Sequence, residues 1–140
     1  FALFAVGKVN DLAVREALPE VIGSLMHPDK EVRDSAARAL GKIAETVPAT
    51  QLGEDRRVEI LEALFRALSD VQPAVRAKAV RSLGKLVRAA YLVPAQEERV
   101  RLAVLRILGQ DEAHEWDRAF IVRREAEEAL RHLDDRARTT

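Results

Sequence analysis

The side chains most able to do chemistry are three histidines, and their spacing does not suit catalysis or metal binding. His27, His114 and His132 lie far apart, and only His114 has another potential metal ligand directly beside it, at Glu115. The sequence contains no Gly-x-Ser-x-Gly nucleophile motif and no glycine-rich phosphate loop. We therefore predict that the protein is not an enzyme and that it holds no catalytic residue, no metal and no cofactor.

Arginines recur at one position of a repeated pattern. They are Arg33, Arg76 and Arg123, and an aspartate lies six residues before two of them, at Asp70 and Asp117. A row of guanidinium groups could bind an acidic ligand. Alternatively, each planar guanidinium could pair with a turn aspartate, in its own repeat or in the neighbouring one. The residues alone leave both interpretations open.

A second set of cations follows helical spacing. Arg38 and Lys42 are four residues apart, Arg81 and Lys85 repeat that spacing, and Lys78 lies close by. Residues four apart share one face of a helix. We predict that these five cations form a partner-binding surface. The alternative is an ordinary solvated polar face, which every surface helix has.

The only tryptophan, Trp116, ends an extended turn at residues 109–116. Insertions at turns of a repeat array often lie on its binding edge, and an exposed tryptophan can anchor a partner. We therefore add Trp116 to the predicted partner-binding residues. The alternative is that Trp116 packs its own turn onto the rest of the chain.

Repeated helices must position all of these side chains, because residues 70–86 recur at 27–43 and at 117–133. The apolar positions advance in steps that follow the buried stripe of an α-helix and not the alternation of a strand. In the first copy they are Val32, Ala36, Ala39, Leu40 and Ile43. A second apolar set of helical spacing precedes each copy, so the unit is a pair of helices. We predict one array with a partial repeat at residues 1–9, repeats at 10–45 and 46–90, and a repeat with an inserted inter-helix turn at 91–135.

An Asp-x4-Val-Arg sequence followed by an alanine-rich helix ending Ala-Leu-Gly-Lys resembles the HEAT repeat, including its phycobilisome-lyase-like variety. Asp70 and Arg76 fit this pattern, as do Asp117 and Arg123, whereas His27 takes the aspartate's place. The resemblance implies an all-α fold, an α-solenoid wound as a right-handed superhelix. It also implies that the second helices line the concave side. Finally, it implies a structural ladder formed by Arg33, Asp70, Arg76, Asp117 and Arg123.

Composition narrows the class of partner. The 140 residues contain 23 basic and 23 acidic side chains and no cysteine. A net charge of zero does not favour binding to nucleic acid or to an anionic membrane. No apolar run approaches the ~20 residues of a membrane-spanning helix. We predict a cytoplasmic protein, since the lack of cysteine is compatible with that compartment.

The first residues are apolar and fall within the second helix of a repeat. We predict that the chain is a fragment of a longer repeat protein. An apolar face left at this end would promote self-association. The alternative is a true N-terminus that packs in a dimer. The residues concerned are Phe1, Leu3, Phe4 and Val6.

The predicted function is that of a scaffold or adaptor that binds a protein or peptide partner, which could be acidic, on its concave second-helix face. A preorganised surface of this kind loses little entropy on docking. Two alternatives belong to other classes. One is an array that faces nucleic acid, as in HEAT-like DNA glycosylases, and the other is a helper subunit of the bilin-lyase type.

Overall fold

The computed structural model describes residues 11–139, which form six α-helices and no β-strand. The predicted all-α helical-repeat fold is therefore confirmed over these residues. The partial repeat predicted at residues 1–9, with its apolar face, lies outside them. The helices are α1 (Asp11–Ser24), α2 (Lys30–Thr46), α3 (Glu54–Ala67), α4 (Pro73–Arg88), α5 (Pro94–Ile107) and α6 (Phe120–Thr139), with a short 3-10 helix at Ala49–Gln51.

The helices pack as a stack of three pairs. Each first helix (α1, α3 or α5) contacts the second helix of its own pair (α2, α4 or α6). The most extensive contacts between pairs join the second helices, with α2 against α4 and α4 against α6. Each pair therefore buries its apolar surface against its neighbours, as expected for a repeat array.

The predicted apolar positions form the core. In the second helices all of them are buried except Val32 and Leu130, which are partly exposed. The first helices contribute residues such as Leu18, Ile60 and Leu64 to the same core. Helical periodicity identified these positions because a surface helix buries one stripe. It did not identify further buried residues of α4 such as Ala77, Val80 and Val87, because α2 and α6 both pack against this helix.

Two glycines at equivalent positions bring the second helices close together. A Cβ atom on Gly41 of α2 would lie 2.8 Å from the Ser82 Cβ atom of α4 and 3.0 Å from its Cα atom. A Cβ atom on Gly84 of α4 would lie 3.6 Å from the Cα atom of Ala129 of α6. The Ser82 hydroxyl donates a hydrogen bond of 2.7 Å to the carbonyl oxygen of Ala37, so this buried polar group is satisfied.

Two helices end in a left-handed residue. Gly109, after α5, has a φ of 75°, which glycine adopts without steric cost. Ala90, after α4, has a φ of 58° although it carries a Cβ atom. The backbone N–H groups of Ala90 and Tyr91 then bond to the carbonyl oxygens of Val87 and Leu86, which closes the helix. Ala90 therefore holds a strained conformation at the end of α4.

Candidate interaction surface

Open grooves lie between neighbouring second helices. The α2–α4 groove encloses about 390 Å³, and five cations and one carboxylate are among the side chains that line it. The α4–α6 groove encloses about 400 Å³ and has charges of both signs on its walls. The charged side chains that line the first groove are Arg38, Lys42, Glu45, Lys78, Arg81 and Lys85.

Two of the predicted cations are engaged by carboxylates of the neighbouring helix. The ammonium nitrogen of Lys78 lies 3.3 Å from Oδ1 of Asp34, and that of Lys85 lies 2.9 Å from Oε1 of Glu45. The hydrogen bond from Lys85 lowers the pKa of Glu45. Both pairs connect α4 to α2, so these lysines help to hold the groove in shape and their charge is partly neutralised.

The other three predicted cations face solvent. Arg38, Lys42 and Arg81 are exposed and form no ion pair or side-chain hydrogen bond with residues 11–139. They line the same groove, two on α2 and one on α4. A planar guanidinium without a partner can bind a carboxylate through two parallel hydrogen bonds. These three side chains are therefore the part of the basic set that can meet an incoming acidic group.

The α4–α6 groove is mixed in charge. Arg88 and Arg124 line it and form no ion pair within the part of the chain that the structure describes, but Glu125 and Glu128 line it as well. Burial, and then the positive charge of Arg88, lower the pKa of His132. The imidazole is therefore neutral at neutral pH, and this groove has no net attraction for an acidic ligand comparable with that of the α2–α4 groove.

Sequence reasoning missed Arg124, and no repeated pattern could have revealed it. The equivalent positions in the first and second units hold Asp34 and Ala77, so the position changes sign and polarity from unit to unit. Only the packing of α6 beside α4 brings Arg124 to the same groove as Arg88.

Two of the three recurring arginines, Arg33 and Arg76, join neighbouring pairs of helices, whereas Arg123 of the predicted ladder hydrogen-bonds, among the described residues, only to its own turn. Nε and Nη2 of Arg33 donate to Oδ2 and Oδ1 of Asp70 at 2.8 and 3.2 Å. The same atoms of Arg76 donate to Oδ2 and Oδ1 of Asp117 at 2.9 and 3.1 Å. Each aspartate thus lies in the inter-helix turn of the next helix pair along the chain. Arg76 contacts its own turn only through the backbone oxygens of Asp70 and Val71.

These pairs are shielded from solvent, which strengthens them. The side chains of Arg33 and Asp70 are 13% and 9% exposed. Burial alone raises the pKa of Asp70, but hydrogen bonds from Arg33 and from the backbone N–H of Gln72 outweigh burial and hold the pKa below its usual range. At Asp117, burial likewise raises the pKa, but hydrogen bonds from Arg76 and from the backbone N–H of Ala119 outweigh it and lower the pKa.

His27 replaces the turn aspartate in the first described pair and performs the local part of its role. Its Nδ1 atom accepts a hydrogen bond of 3.0 Å from the backbone N–H of Asp29. Asp70 and Asp117 accept the equivalent bonds from Gln72 and Ala119. With Nδ1 as an acceptor, the imidazole can donate only from Nε2, whereas Asp70 and Asp117 each have a second carboxylate oxygen.

Trp116 lies in the loop between α5 and α6. Its side chain is 57% exposed, and its ring centre lies 4.2 Å from the guanidinium carbon of Arg123. The Trp116 backbone also approaches Gly109, where an added Cβ atom would meet the Trp116 Cβ atom at 2.9 Å. Trp116 therefore packs its own loop on one side and presents much of its ring to solvent on the other.

The histidines do not converge. Nδ1 of His114 lies 3.0 Å from Oδ2 of Asp111 within the same loop, and His27 and His132 belong to other parts of the stack. In residues 11–139 no three potential metal-ligating side chains cluster together. Over the same residues no helix is long and apolar enough to cross a bilayer.

Comparison with known families agrees with this architecture. A family model described as a HEAT-like repeat matches residues 1–43, and the HEAT repeat model matches residues 60–90. No curated protein matches the chain. With both matches falling on helix pairs stacked by their second helices, the chain belongs to the HEAT-repeat family.

Proposed function

We propose that this protein is a non-enzymatic scaffold or adaptor module that binds an acidic protein or peptide segment in the α2–α4 groove. One observation carries this proposal: Arg38, Lys42 and Arg81 line a single groove and form no ion pair with the described residues. HEAT repeats commonly serve as protein-interaction modules. The lack of cysteine is compatible with a cytoplasmic location, which forms part of the proposal.

The groove is basic although the whole chain is neutral. Its attraction is therefore local, and salt screens it over a Debye length of about 8 Å at physiological ionic strength. A partner must bring carboxylates or phosphates into the groove itself to benefit from the three free cations. Helix packing fixes the groove before binding, so few backbone degrees of freedom are lost when a partner docks.

Charge reversal in the groove tests the proposal. We would measure binding of a fluorescein-labelled oligoglutamate by fluorescence polarisation, at low and at physiological salt. The double variant Arg38→Glu/Arg81→Glu should weaken binding at least about tenfold, which corresponds to about 1.4 kcal/mol. It should also flatten the salt dependence. Lys85 is left unchanged because it forms an ion pair with Glu45.

A matched control makes the same charge change on the first helices. Arg66 of α3 and Arg106 of α5 are exposed cations outside the groove. The double variant Arg66→Glu/Arg106→Glu should therefore retain oligoglutamate binding. Equal losses in both double variants would mean that the peptide senses only total charge, and the groove would then not be the site.

Duplex DNA is the second probe, because it distinguishes an acidic polypeptide from a nucleic acid. We expect DNA to bind more weakly than oligoglutamate at physiological salt, since the described grooves offer no row of aromatic side chains for stacking. Tighter binding of DNA that is lost in Arg38→Glu/Arg81→Glu would replace the proposed polypeptide partner with a nucleic acid.

A further inference from the structure

Arg123 is anchored like Arg33 and Arg76 but faces no carboxylate among the described residues. In Arg33 and Arg76, Nη1 donates to backbone oxygens of the arginine's own inter-helix turn. Nε and Nη2 donate to an aspartate in the inter-helix turn of the next pair. Nη1 of Arg123 likewise donates to the backbone oxygen of Asp117, at 2.7 Å. Its Nε and Nη2 atoms have no hydrogen-bond acceptor in residues 11–139.

Two aromatic rings hold this guanidinium in place. The guanidinium carbon of Arg123 lies 4.2 Å from the centre of the Trp116 ring and 5.9 Å from that of Phe120. Both rings are exposed, Trp116 at 57% and Phe120 at 64%. Cation–π contacts and the backbone anchor restrict the side chain, so the edge that binds a carboxylate elsewhere in the chain is already oriented. A groove of about 380 Å³ adjoins Trp116 and Arg123. Arg131 and the carboxylates of Glu127 and Asp134 also line it, so an incoming carboxylate is favoured only at the Arg123 fork itself.

The outer face of α6 does not repeat the residue types with which α2 and α4 pack closely against the next second helix. The position of Gly41 and Gly84, which allows α2 and α4 to be approached closely, is occupied by Arg131 in α6. The position of the buried residue Val80 is occupied by the exposed Glu127. An arginine and a glutamate on the outer face of α6 oppose close packing of another second helix.

The Nε and Nη2 atoms of Arg123 are both donors. The chemistry of the site therefore requires an acceptor with two oxygens, and a carboxylate supplies it, as Asp70 and Asp117 do for the inner arginines.

We propose that Trp116, Phe120 and Arg123 form a second binding site that receives an aspartate side chain from an exposed turn of a partner protein. The carboxylate accepts from Nε and Nη2 of Arg123, as in the two inner pairs, and an apolar residue beside the aspartate covers the exposed rings. This site lies where the α5–α6 loop meets α6, does not use the α2–α4 groove, and goes beyond the function proposed above.

The chain itself supplies a probe. A capped peptide of residues 67–73 contains Asp70 and its neighbours from an inner turn, and a version with Asp70→Asn is its matched control. Trp116 is the only tryptophan, so its fluorescence reports directly on the site. We expect a saturable fluorescence change with the aspartate peptide and at least about tenfold weaker binding of the asparagine peptide, which lacks the charge needed for a charge-assisted pair.

Protein variants separate this site from the groove. Arg123→Lys keeps the charge but loses the planar fork, so it should weaken binding of the aspartate peptide about tenfold. Arg38→Glu/Arg81→Glu should leave it unchanged. In ¹H–¹⁵N spectra of the unaltered protein, the Nε–H resonance of Arg123 should shift on titration. The proposal is overturned by equal binding of the two peptides, by full binding to Arg123→Lys, or by no movement of that resonance.

Discussion

Replacing three helical glycines with alanine should change the free energy of unfolding in three different ways. In a helix interior, alanine is about 1 kcal/mol more favourable than glycine. At Gly23 an added Cβ atom meets nothing within 4 Å, so Gly23→Ala should gain up to that amount. At Gly41 the Cβ atom would lie 2.8 Å from that of Ser82, and overpacking costs roughly 1–3 kcal/mol. Gly41→Ala should therefore lose about 1 kcal/mol net.

Gly84 provides the intermediate case. Its added Cβ atom would lie 3.3 Å from Cδ2 of His132 and 3.6 Å from Cβ of Ala129, contacts that a small movement of the imidazole relieves. Gly84→Ala should therefore lie between the other two variants. Urea denaturation followed by the helical circular dichroism would give the three free energies.

One result would refute this reasoning. If Gly41→Ala stabilises the protein as much as Gly23→Ala does, α2 and α4 do not approach as closely as the structure shows. A double-mutant cycle with Ser82→Gly provides the internal check, because removing the Ser82 side chain should recover part of the loss at Gly41.

The remaining predictions concern the stability contributed by the inter-repeat ion pairs and by the end of α4. Asp70→Asn leaves the largely buried Arg33 without its charged partner and should cost about 1.5–3 kcal/mol, measured by urea denaturation. The pKa values of Asp70 and Asp117 are lowered in the folded state. The stability that they confer should therefore be complete above an unfolded-state pKa of about 3.9 and should fall as pH drops through the folded-state values. Ala90→Gly should raise the unfolding midpoint, because relief of a left-handed alanine, about 1–2 kcal/mol, exceeds the added chain entropy of about 0.4–1 kcal/mol.

The fold could be predicted from the sequence because each helix repeats its apolar positions with the period of one buried stripe. Gly41 and Gly84 occupy one position of the repeat, and at that position the second helices pack closely. Helix ends were less accessible. Nothing in the sequence distinguishes Ala90 as a left-handed residue, since its conformation follows from closure of α4 by Tyr91 and not from a local preference of alanine.

The candidate site was predictable in composition but not in pairing. Helical spacing placed the cations of α2 and α4 on one face, yet it could not show that Lys78 meets Asp34 while Arg81 meets no carboxylate. Such pairs join side chains of different repeats, and they depend on the offset between two helices, which no single helix encodes. The same offset between helices determines that Arg33 bonds to Asp70, in the inter-helix turn of the next pair.

Charge changes along the stack limit where an acidic partner can lie. The position of Arg38 and Arg81 is occupied by Glu128 in the third pair, and that of Lys42 and Lys85 by His132. Because the pKa of His132 is lowered, the third pair adds no positive charge at either position at neutral pH. Arg131, on the outer side of α6, forms an ion pair with Glu128 and lowers its pKa, so that this carboxylate stays ionised. If the proposed acidic segment binds, its attraction should come mainly from the α2–α4 groove, and a longer ligand that continues onto α6 would meet Glu128 as well as the cations Arg88 and Arg124.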